Sequence, residues 1–224
     1  MKTKYTIRTT FLLLMGLLLG ANRVGMAQSS IALDVNQLFS SNVFKVGGVV
    51  DNGYKTLPTI SYNLSFLQEM KNGLIFQGSV GMQTIGSTTS ADGNVYTYNF
   101  QYAVGKIGIG YELNKFKLKP FVIVSPYYGY LLTGTSSSTN ASLPFTDLKQ
   151  NNSILSNDWG FVFNPGVRFE ASDYITIFAN VSYIYGIENI SNLSDRETYN
   201  RGIGFGIGIT ATIISNKPAK WIQF

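Results

Sequence analysis

Apolar and polar residues alternate with a period of two along the C-terminal part of the chain. The alternation is most regular over residues 203–213. Its apolar positions are Ile203, Phe205, Ile207, Ile209, Ala211 and Ile213, and the positions between and beside them are Gly202, Gly204, Gly206, Gly208, Thr210 and Thr212. Because successive side chains of a strand point to opposite faces, this pattern predicts a long strand with one apolar face and one face of small or polar residues.

The same period recurs upstream, so the sequence predicts eight strands between about residue 43 and about residue 214. They cover 43–51, 59–66, 74–83, 96–113, 118–132, 159–169, 175–187 and 203–213. In the fourth segment the apolar set changes phase near Gly105 and Lys106, which predicts a β-bulge there. Pro120, Pro126 and Pro165 lie inside predicted strands and each lacks a hydrogen-bond donor, so each is expected to mark a bulge or a strand end.

The character of the polar faces distinguishes a membrane barrel from a soluble one. These faces consist mainly of Gly, Ser, Thr, Asn and Gln, whereas the water-facing side of a lipocalin-like barrel or a β-sandwich normally carries charge. A narrow barrel interior takes small, hydrogen-bonding side chains, and the apolar, aromatic-rich faces suit lipid. The predicted fold class is therefore all-β: a closed antiparallel up-and-down transmembrane β-barrel of about eight strands.

The connections between the predicted strands alternate in length. Short turns are expected at 68–73, 114–117 and 172–173, and longer polar loops at 86–95, 133–158 and 188–199, with the first connection, 52–56, as an exception. Outer-membrane barrels have this asymmetry, with long loops outside the cell and tight turns in the periplasm. The longest loop is rich in Ser, Asn and Thr, and it is expected to be unordered.

The first 27 residues are typical of a cleavable signal peptide. Three basic residues precede an apolar run over 11–19, and Gly25 and Ala27 supply the small residues that a signal peptidase requires. The run is shorter than the ~20 residues that a membrane-spanning helix needs. Cleavage is predicted after Ala27, which gives a mature barrel domain of residues 28–224.

Removal of this signal peptide changes the charge balance. The chain has 17 Lys and Arg residues against 12 Asp and Glu residues, and four of the basic residues lie within the signal peptide, which leaves 13 against 12. The nearly neutral mature chain argues against nucleic acid as a partner. The exported chain is expected in the outer membrane, in contact with its lipid and with the barrel assembly machinery.

Two segments stay open at this point. Residues 30–41 are consistent with a periplasmic lead-in, a short helix or a further piece of strand. The terminal aromatic residue, Phe224, is either an assembly signal or an accident of sequence, because Pro218 and Lys220 interrupt the alternation that leads to it.

The sequence contains neither His nor Cys, which removes imidazole bases, thiol nucleophiles and metal sites built on either residue. The charged residues assigned to strands are Lys45, Lys106, Glu112, Arg168 and Glu170. As a functional site, a carboxylate pair among them would carry out acid–base chemistry. As a structural feature, they form a lumen network, because charges inside a narrow barrel must be paired and hydrogen-bonded. The structural interpretation is favoured, so no enzymatic activity, cofactor or metal is expected.

Four segments resemble PorT-like outer-membrane β-barrel proteins. They are FKLKPFVIVSPYYGYLLTG, in which Ser125 replaces the Gly before Pro126, DWGFVFNPGVRFE with Gly166 and Phe169, YITIFANVSYIYGIENIS, and YNRGIGFGIGI with its Asn200-Arg201-Gly202 opening. The resemblance covers about residues 96–214. It implies a barrel of about eight strands in the outer membrane of a Gram-negative bacterium. Some members of this broad group are tied to protein secretion, and most have no assigned activity.

Three functions are compatible with these patterns. The first, which is favoured, is a structural or interaction protein whose extracellular loops contact a protein partner, with an accessory role in protein secretion as one form of it. The alternative is a small-solute channel or ligand-conducting barrel, although eight strands leave no wide aqueous pore. The third is a membrane-embedded enzyme, which the missing His disfavours.

Overall fold

The computed structural model describes residues 27–113, 117–139 and 146–214, and most of them lie in β-strands. The strands are β1 (Ala27–Val46), β2 (Val49–Asp51), β3 (Lys55–Met70), β4 (Leu74–Ala91), β5 (Asn94–Glu112), β6 (Leu118–Ser138), β7 (Thr146–Asp147), β8 (Asn157–Glu170), β9 (Ile175–Gly186) and β10 (Arg196–Ile214). The predicted signal peptide up to residue 26 and the terminal Phe224 lie outside the described residues. Within the described ranges, no helix is long and apolar enough to cross a membrane.

The eight long strands form one closed sheet. Their order around the sheet is β1, β3, β4, β5, β6, β8, β9 and β10, every neighbouring pair is antiparallel, and β10 returns to pair with β1. Closure satisfies the backbone of both outer strands, so the sheet has no free edge. This confirms the predicted closed antiparallel up-and-down barrel of about eight strands. The short β2 and β7 pair with the ends of β1 and β6.

The two faces of the strands differ as the alternation predicts. On β10 the outward residues Ile203, Phe205, Ile207 and Ile209 expose 46% to 71% of their surface. The inward positions between them are glycines, and a Cβ on Gly204 would collide with the fully buried Leu38. Such a continuous apolar exterior requires a surrounding other than water, and the small inward residues make room for larger side chains in a narrow lumen.

The first strand begins much earlier than the sequence analysis placed it. The prediction began it at residue 43, whereas β1 starts at Ala27 and pairs with both β3 and β10. Residues 30–41 are therefore strand, with Leu33 and Val35 pointing outward and Asp34 and Asn36 buried inside. The alternation is broken at Gln37 and Leu38, because the polar Gln37 faces outward and the apolar Leu38 is buried in the lumen.

The predicted bulge at Gly105 and Lys106 is wrong. β5 pairs with β4 in one unbroken register, and its even-numbered residues all face inward. The apparent change of phase has another cause. In the first half of β5 the lumen residues Phe100 and Tyr102 are apolar, whereas in its second half the apolar residues are those that face outward. The register shift lies on the other side of β5, in its pairing with β6, where Leu132 is the extra residue.

The strand prolines have three different settings. Pro120 lies at the end of the β5–β6 ladder, as expected for a strand end. Pro126 and Pro165 are neither bulges nor strand ends, which corrects the prediction. Each interrupts pairing with one neighbouring strand over two residue pairs, and the register continues unchanged on the far side. Pro58, which was not assigned to a strand, lies at the register shift between β3 and β4.

The two ends of the barrel differ in their connections. One, called here the turn end, carries both ends of the described chain, the tight turns at 71–73 and 171–174, and the ends of β5 and β6 at Glu112 and Leu118. The other, called the loop end, carries the connections at 139–156 and 187–195. The predicted long loop at 86–95 is instead a two-residue turn of Asp92 and Gly93, both with positive φ, because β4 and β5 continue into a protruding hairpin.

Candidate functional site

A cluster of charged side chains closes the turn end of the lumen. This ionic clasp consists of Glu69, Glu112, Lys119, Arg168 and Glu170. Arg168 Nη1 donates to Glu112 Oε2 at 3.0 Å and also to Glu69. Lys119 Nζ lies 2.6 Å from Glu170 Oε1 and 3.9 Å from Glu112 Oε1. Because alternate residues of neighbouring strands point inward, four different strands bring these charges to one level of the barrel.

The clasp spans the lumen from wall to wall. Glu69 lies on β3 and Arg168 on β8, and these two strands are four steps apart in a closed order of eight. The Arg168 side chain is nearly fully buried, and its guanidinium lies 4.8 Å from the centre of the Phe121 ring. A buried cation with two carboxylate partners satisfies the demand for pairing in a low-dielectric interior.

Above the clasp lies a chamber of about 40 Å³, in which polar side chains outnumber apolar ones. A hydrogen-bonded chain crosses it: Lys106 Nζ donates to Asn63 Oδ1 at 2.8 Å, and Asn63 Nδ2 donates to Asp34 Oδ2 at 2.8 Å. Asn36 then links Asp34 to Ser182, whose hydroxyl donates to Asn36 Oδ1 at 3.1 Å. The chamber is polar and has room for about three water molecules, since each needs ~10–15 Å³.

An apolar plug separates this chamber from the loop end. It contains Leu38, Ile85, Phe100, Val104, Leu131, Val162 and Ile184, together with the rings of Tyr102 and Tyr127. Its buried side chains come from six of the eight long strands and fill the cross-section of the lumen. Solutes therefore have no open path through this layer.

A buried polar network lies directly beyond the plug. Tyr127 Oη and Asn200 Nδ2 each donate to Asp158 Oδ2 at 2.8 Å, and Asn42 Nδ2 donates to Asn200 Oδ1 at 2.8 Å. Ser87 Oγ continues the chain by donating to Asn42 Oδ1 at 2.9 Å. The network joins β1, β4, β6, β8 and β10, so it ties opposite walls together and fixes the side chains beneath the loops.

Two loop segments form a lid over the network. The lid comprises residues 146–156 and 187–195, which meet at a bridge between Ile154 and Ser191. Ile154 and Ile190 are buried against the plug. Lys149 Nζ anchors the lid at 2.6 Å from the carbonyl of Leu131, beside the bulge. This part of the longest predicted loop is ordered, contrary to expectation, because its few apolar residues are inserted into the barrel mouth.

An aromatic group flanks the lid. Phe44 and Tyr54 stack with ring centres 3.8 Å apart, and Tyr98 lies 5.9 Å from both rings. Burial raises the pKa of the Tyr54 hydroxyl to about 12, and the neighbouring Tyr98 adds to the effect. The Tyr54 hydroxyl is therefore neutral at physiological pH. The side chain contributes the apolar face of its ring and a polar tip.

The structure brings three of the five predicted charged residues into the clasp and separates the other two. Glu112, Arg168 and Glu170 belong to the clasp, with Glu170 at its exposed rim. Lys106 lies in the chamber above. Lys45 is not a lumen residue, which corrects the prediction: it has outward parity on β1 and lies 3.5 Å from Glu197 on the outside of the loop end.

Sequence reasoning missed four lumen charges, namely Asp34, Glu69, Lys119 and Asp158. Glu69 and Lys119 fell in predicted turns or at strand starts, where charge is ordinary. Both have the parity of inward residues on β3 and β6, so extending the alternation by a few residues would have found them. Among the described residues, no three acidic side chains are grouped so as to hold a metal ion.

The sequence matches the family described as "Outer membrane protein beta-barrel domain" over residues 12–192. A comparison with curated proteins finds no match. Among solved structures, the outer membrane protein OprG from Pseudomonas aeruginosa is similar with a TM-score of 0.51 and 11% identity, covering 85% of this chain and 97% of that one. This likeness shows a shared fold.

Two further solved barrels are similar at lower scores. Neisserial surface protein A has a TM-score of 0.48 and 10% identity, covering 84% of this chain and 99% of that one. Ail, the attachment invasion locus protein of Yersinia pestis, in complex with the heparin analogue sucrose octasulfate, has a TM-score of 0.38 and 17% identity, covering 82% of this chain and 99% of that one.

Proposed function

The chain belongs to the family of outer membrane protein β-barrel domains and is located in the outer membrane, and on that premise we propose that it is a closed barrel that acts through its loops. In this proposal the protein is a structural or interaction protein without enzymatic activity, and the loop end faces the cell exterior. The observation that carries the proposal is the closure of the lumen by the plug and again by the clasp.

The closed lumen leaves the lid and the protruding β4–β5 hairpin as the surfaces for a protein partner. The lid is held rigidly by Ile154, Ile190 and Lys149, so it presents a preformed surface and costs little ordering entropy on binding. An accessory role in protein secretion, as in some PorT-like barrels that the sequence resembles, is the specific form of this proposal. A position of this protein's gene among genes for protein secretion would favour the secretion role.

Membership of the family also supports two proposals about biogenesis. We propose that residues 1–27 are removed as a signal peptide and that residues 28–224 form the mature protein. β1 begins at Ala27, so the proposed cleavage point falls at the start of the first barrel strand. Assembly would then use the barrel assembly machinery.

Planar-bilayer conductance tests the closed barrel. We expect purified wild-type protein to give no stepwise current, because the plug spans the lumen. The small-solute channel is the second candidate. The observation that favours it is that the clasp is held by ionisable groups, so loss of their charges would release it.

The Arg168→Ala variant distinguishes the two functions. Under the closed-barrel proposal this variant is also silent, because the plug and lid remain in place. Stepwise current from wild-type protein would contradict the proposal, and current from Arg168→Ala alone would support a channel in which the clasp is the gate.

A further inference from the structure

The barrel wall has a break in its backbone hydrogen bonding between β8 and β9. The ladder pairs Phe163 with Tyr183 and resumes at Gly166 with Asn180, so two residue pairs are missing between them. Pro165 has no N–H, and its pairing with β6 is uninterrupted. Its donor position therefore faces β9, and the carbonyl left without its ladder donor is that of Val181.

This break lies at the middle of the apolar band. The outward residues of β8 run from Trp159 to Phe169, and Pro165 is near their midpoint. Ten residues of a strand tilted by ~40° rise roughly 25 Å, which is the height of the lipid-facing band. An unpaired carbonyl is most costly at this depth, because no water reaches it from the bilayer. A ligand that supplies a donor there would gain a correspondingly favourable hydrogen bond.

A groove on the outside of the barrel runs past the break. Its apolar lining includes Val35, Val167, Ala179, Val181, Phe205 and Ile207, and it is an open depression in the lipid-facing surface. The small Ala179 between larger outward residues of β9 helps to make it concave. Apart from the break, the only polar side chains that line the groove among the described residues are those of Gln37 and Asn180, so its surface suits an alkyl chain.

The same place borders the polar chamber. Asn180 lines both the groove and the chamber, and its Oδ1 accepts no hydrogen bond from the described residues. On the inner side, Asn164 Nδ2 donates to Ser182 Oγ at 2.6 Å and holds β8 and β9 together across the missing pairs. The wall is thus intact but carries two acceptors, the Val181 carbonyl without its ladder donor and Asn180 Oδ1 without a partner among the described residues.

We propose that this groove binds a single-chain amphiphile whose head group is a hydrogen-bond donor, such as a long-chain alcohol. The alkyl chain lies along the apolar lining, and the hydroxyl donates to the Val181 carbonyl. A bilayer phospholipid does not fit this role, because its acyl chains carry no donor at the depth of Pro165. The inference concerns the lipid-facing wall and does not depend on what the loops bind.

Photolabelling of the protein in phosphatidylcholine nanodiscs tests the proposal. The probe is a sixteen-carbon alcohol with a diazirine on its chain, and the comparison probe is the same chain ending in a methyl group. One hydrogen bond corresponds to about a 5–10-fold difference in occupancy, so the alcohol should label the groove residues that much more strongly. Equal labelling by the two probes would overturn the proposal.

Variants localise the effect. Pro165→Ala supplies the missing N–H, so it should reduce labelling by the alcohol to the level of the alkane, and Val181→Phe should fill the groove and reduce labelling by both probes. Pro126→Ala is the matched control, because Pro126 makes an equivalent break with β5 elsewhere in the wall. It should leave labelling at the Pro165 groove unchanged.

Amide exchange checks the chemistry independently of labelling. In Pro165→Ala, a slowly exchanging amide at position 165 is expected, because it bonds to the Val181 carbonyl. A rapidly exchanging amide there, or undiminished labelling by the alcohol in this variant, would overturn the assignment of the Val181 carbonyl as the acceptor.

Discussion

Arg168 is a charged residue whose side chain is almost fully buried inside the barrel. Its guanidinium lies between carboxylates from β3 and β5, and it is packed against an aromatic ring. Within the low-dielectric lumen, each of these charges depends on the others, since an unpaired buried charge is strongly unfavourable. Lys45 is the contrasting case, because it meets Glu197 where both side chains are solvent-accessible.

Replacing Arg168 should therefore destabilise the barrel far more than replacing Lys45. Arg168→Met leaves Glu69 and Glu112 without their shared cation, and we expect a loss of about 3–5 kcal/mol in the free energy of unfolding. Lys45→Met removes an exposed pair and should cost less than about 1 kcal/mol. Urea unfolding in lipid vesicles, followed by tryptophan fluorescence, measures both values. Equal losses would show that the clasp is not a buried network.

At the scale of the strands, glycine sets how much room the side chains and backbone of neighbouring strands have. On β10, a Cβ at Gly208 would meet the Phe178 ring and would lie 2.6 Å from the carbonyl oxygen of Leu33. A backbone atom cannot move aside cheaply, so this position tolerates no side chain. On β5, by contrast, a Cβ at the outward-facing Gly105 would have no neighbour within 4 Å.

Substituting these two glycines by alanine should have opposite effects. Gly208→Ala forces the strands apart and is expected to cost about 1–3 kcal/mol of stability. Gly105→Ala should be neutral or stabilising by up to about 1 kcal/mol, because glycine pays extra entropy on entering a strand. The fraction of protein that keeps its folded mobility on unheated gels, measured across a urea series, reports both. A destabilised Gly105→Ala would contradict this account of the glycines.

The strands were largely predictable because each has a lipid face and a lumen face of different character. Prediction failed where the lumen itself changes character. The apolar lumen residues Phe100 and Tyr102 produced the apparent change of phase on β5. On β1, the outward polar Gln37 and the inward apolar Leu38 interrupted the alternation. The contacts within the clasp were not predictable, since Glu69 and Arg168 meet across the barrel and the strand register needed to align them is not visible in a single sequence.

At the scale of the whole molecule, the lumen is a stack of closed layers. From the turn end these are the ionic clasp, the polar chamber, the apolar plug, the polar network and the lid. The lid was not predicted, because its sequence is rich in Ser and Asn and shows no regular alternation. Its order depends on Ile154 and Ile190, whose burial becomes evident only when the barrel mouth that receives them is known.

The orientation of this stack can be measured on intact cells, because the chain has no Cys and any introduced thiol is unique. Ser90→Cys places a thiol on the exposed β4–β5 hairpin at the loop end, and Lys71→Cys places one in a tight turn at the other end. A membrane-impermeant maleimide should label the first and spare the second until the cells are lysed. The reverse pattern would invert the proposed topology.

The sealed lumen is tested most directly by thiol accessibility inside the barrel. Ser61 is buried and lines the chamber, so a cysteine there lies between the clasp and the plug. In nanodiscs, where both ends meet solvent, Ser61→Cys should not react with a cationic thiosulfonate until the protein is unfolded, while Ser90→Cys should react at once. Reaction of Ser61→Cys in the folded protein would contradict a closed barrel.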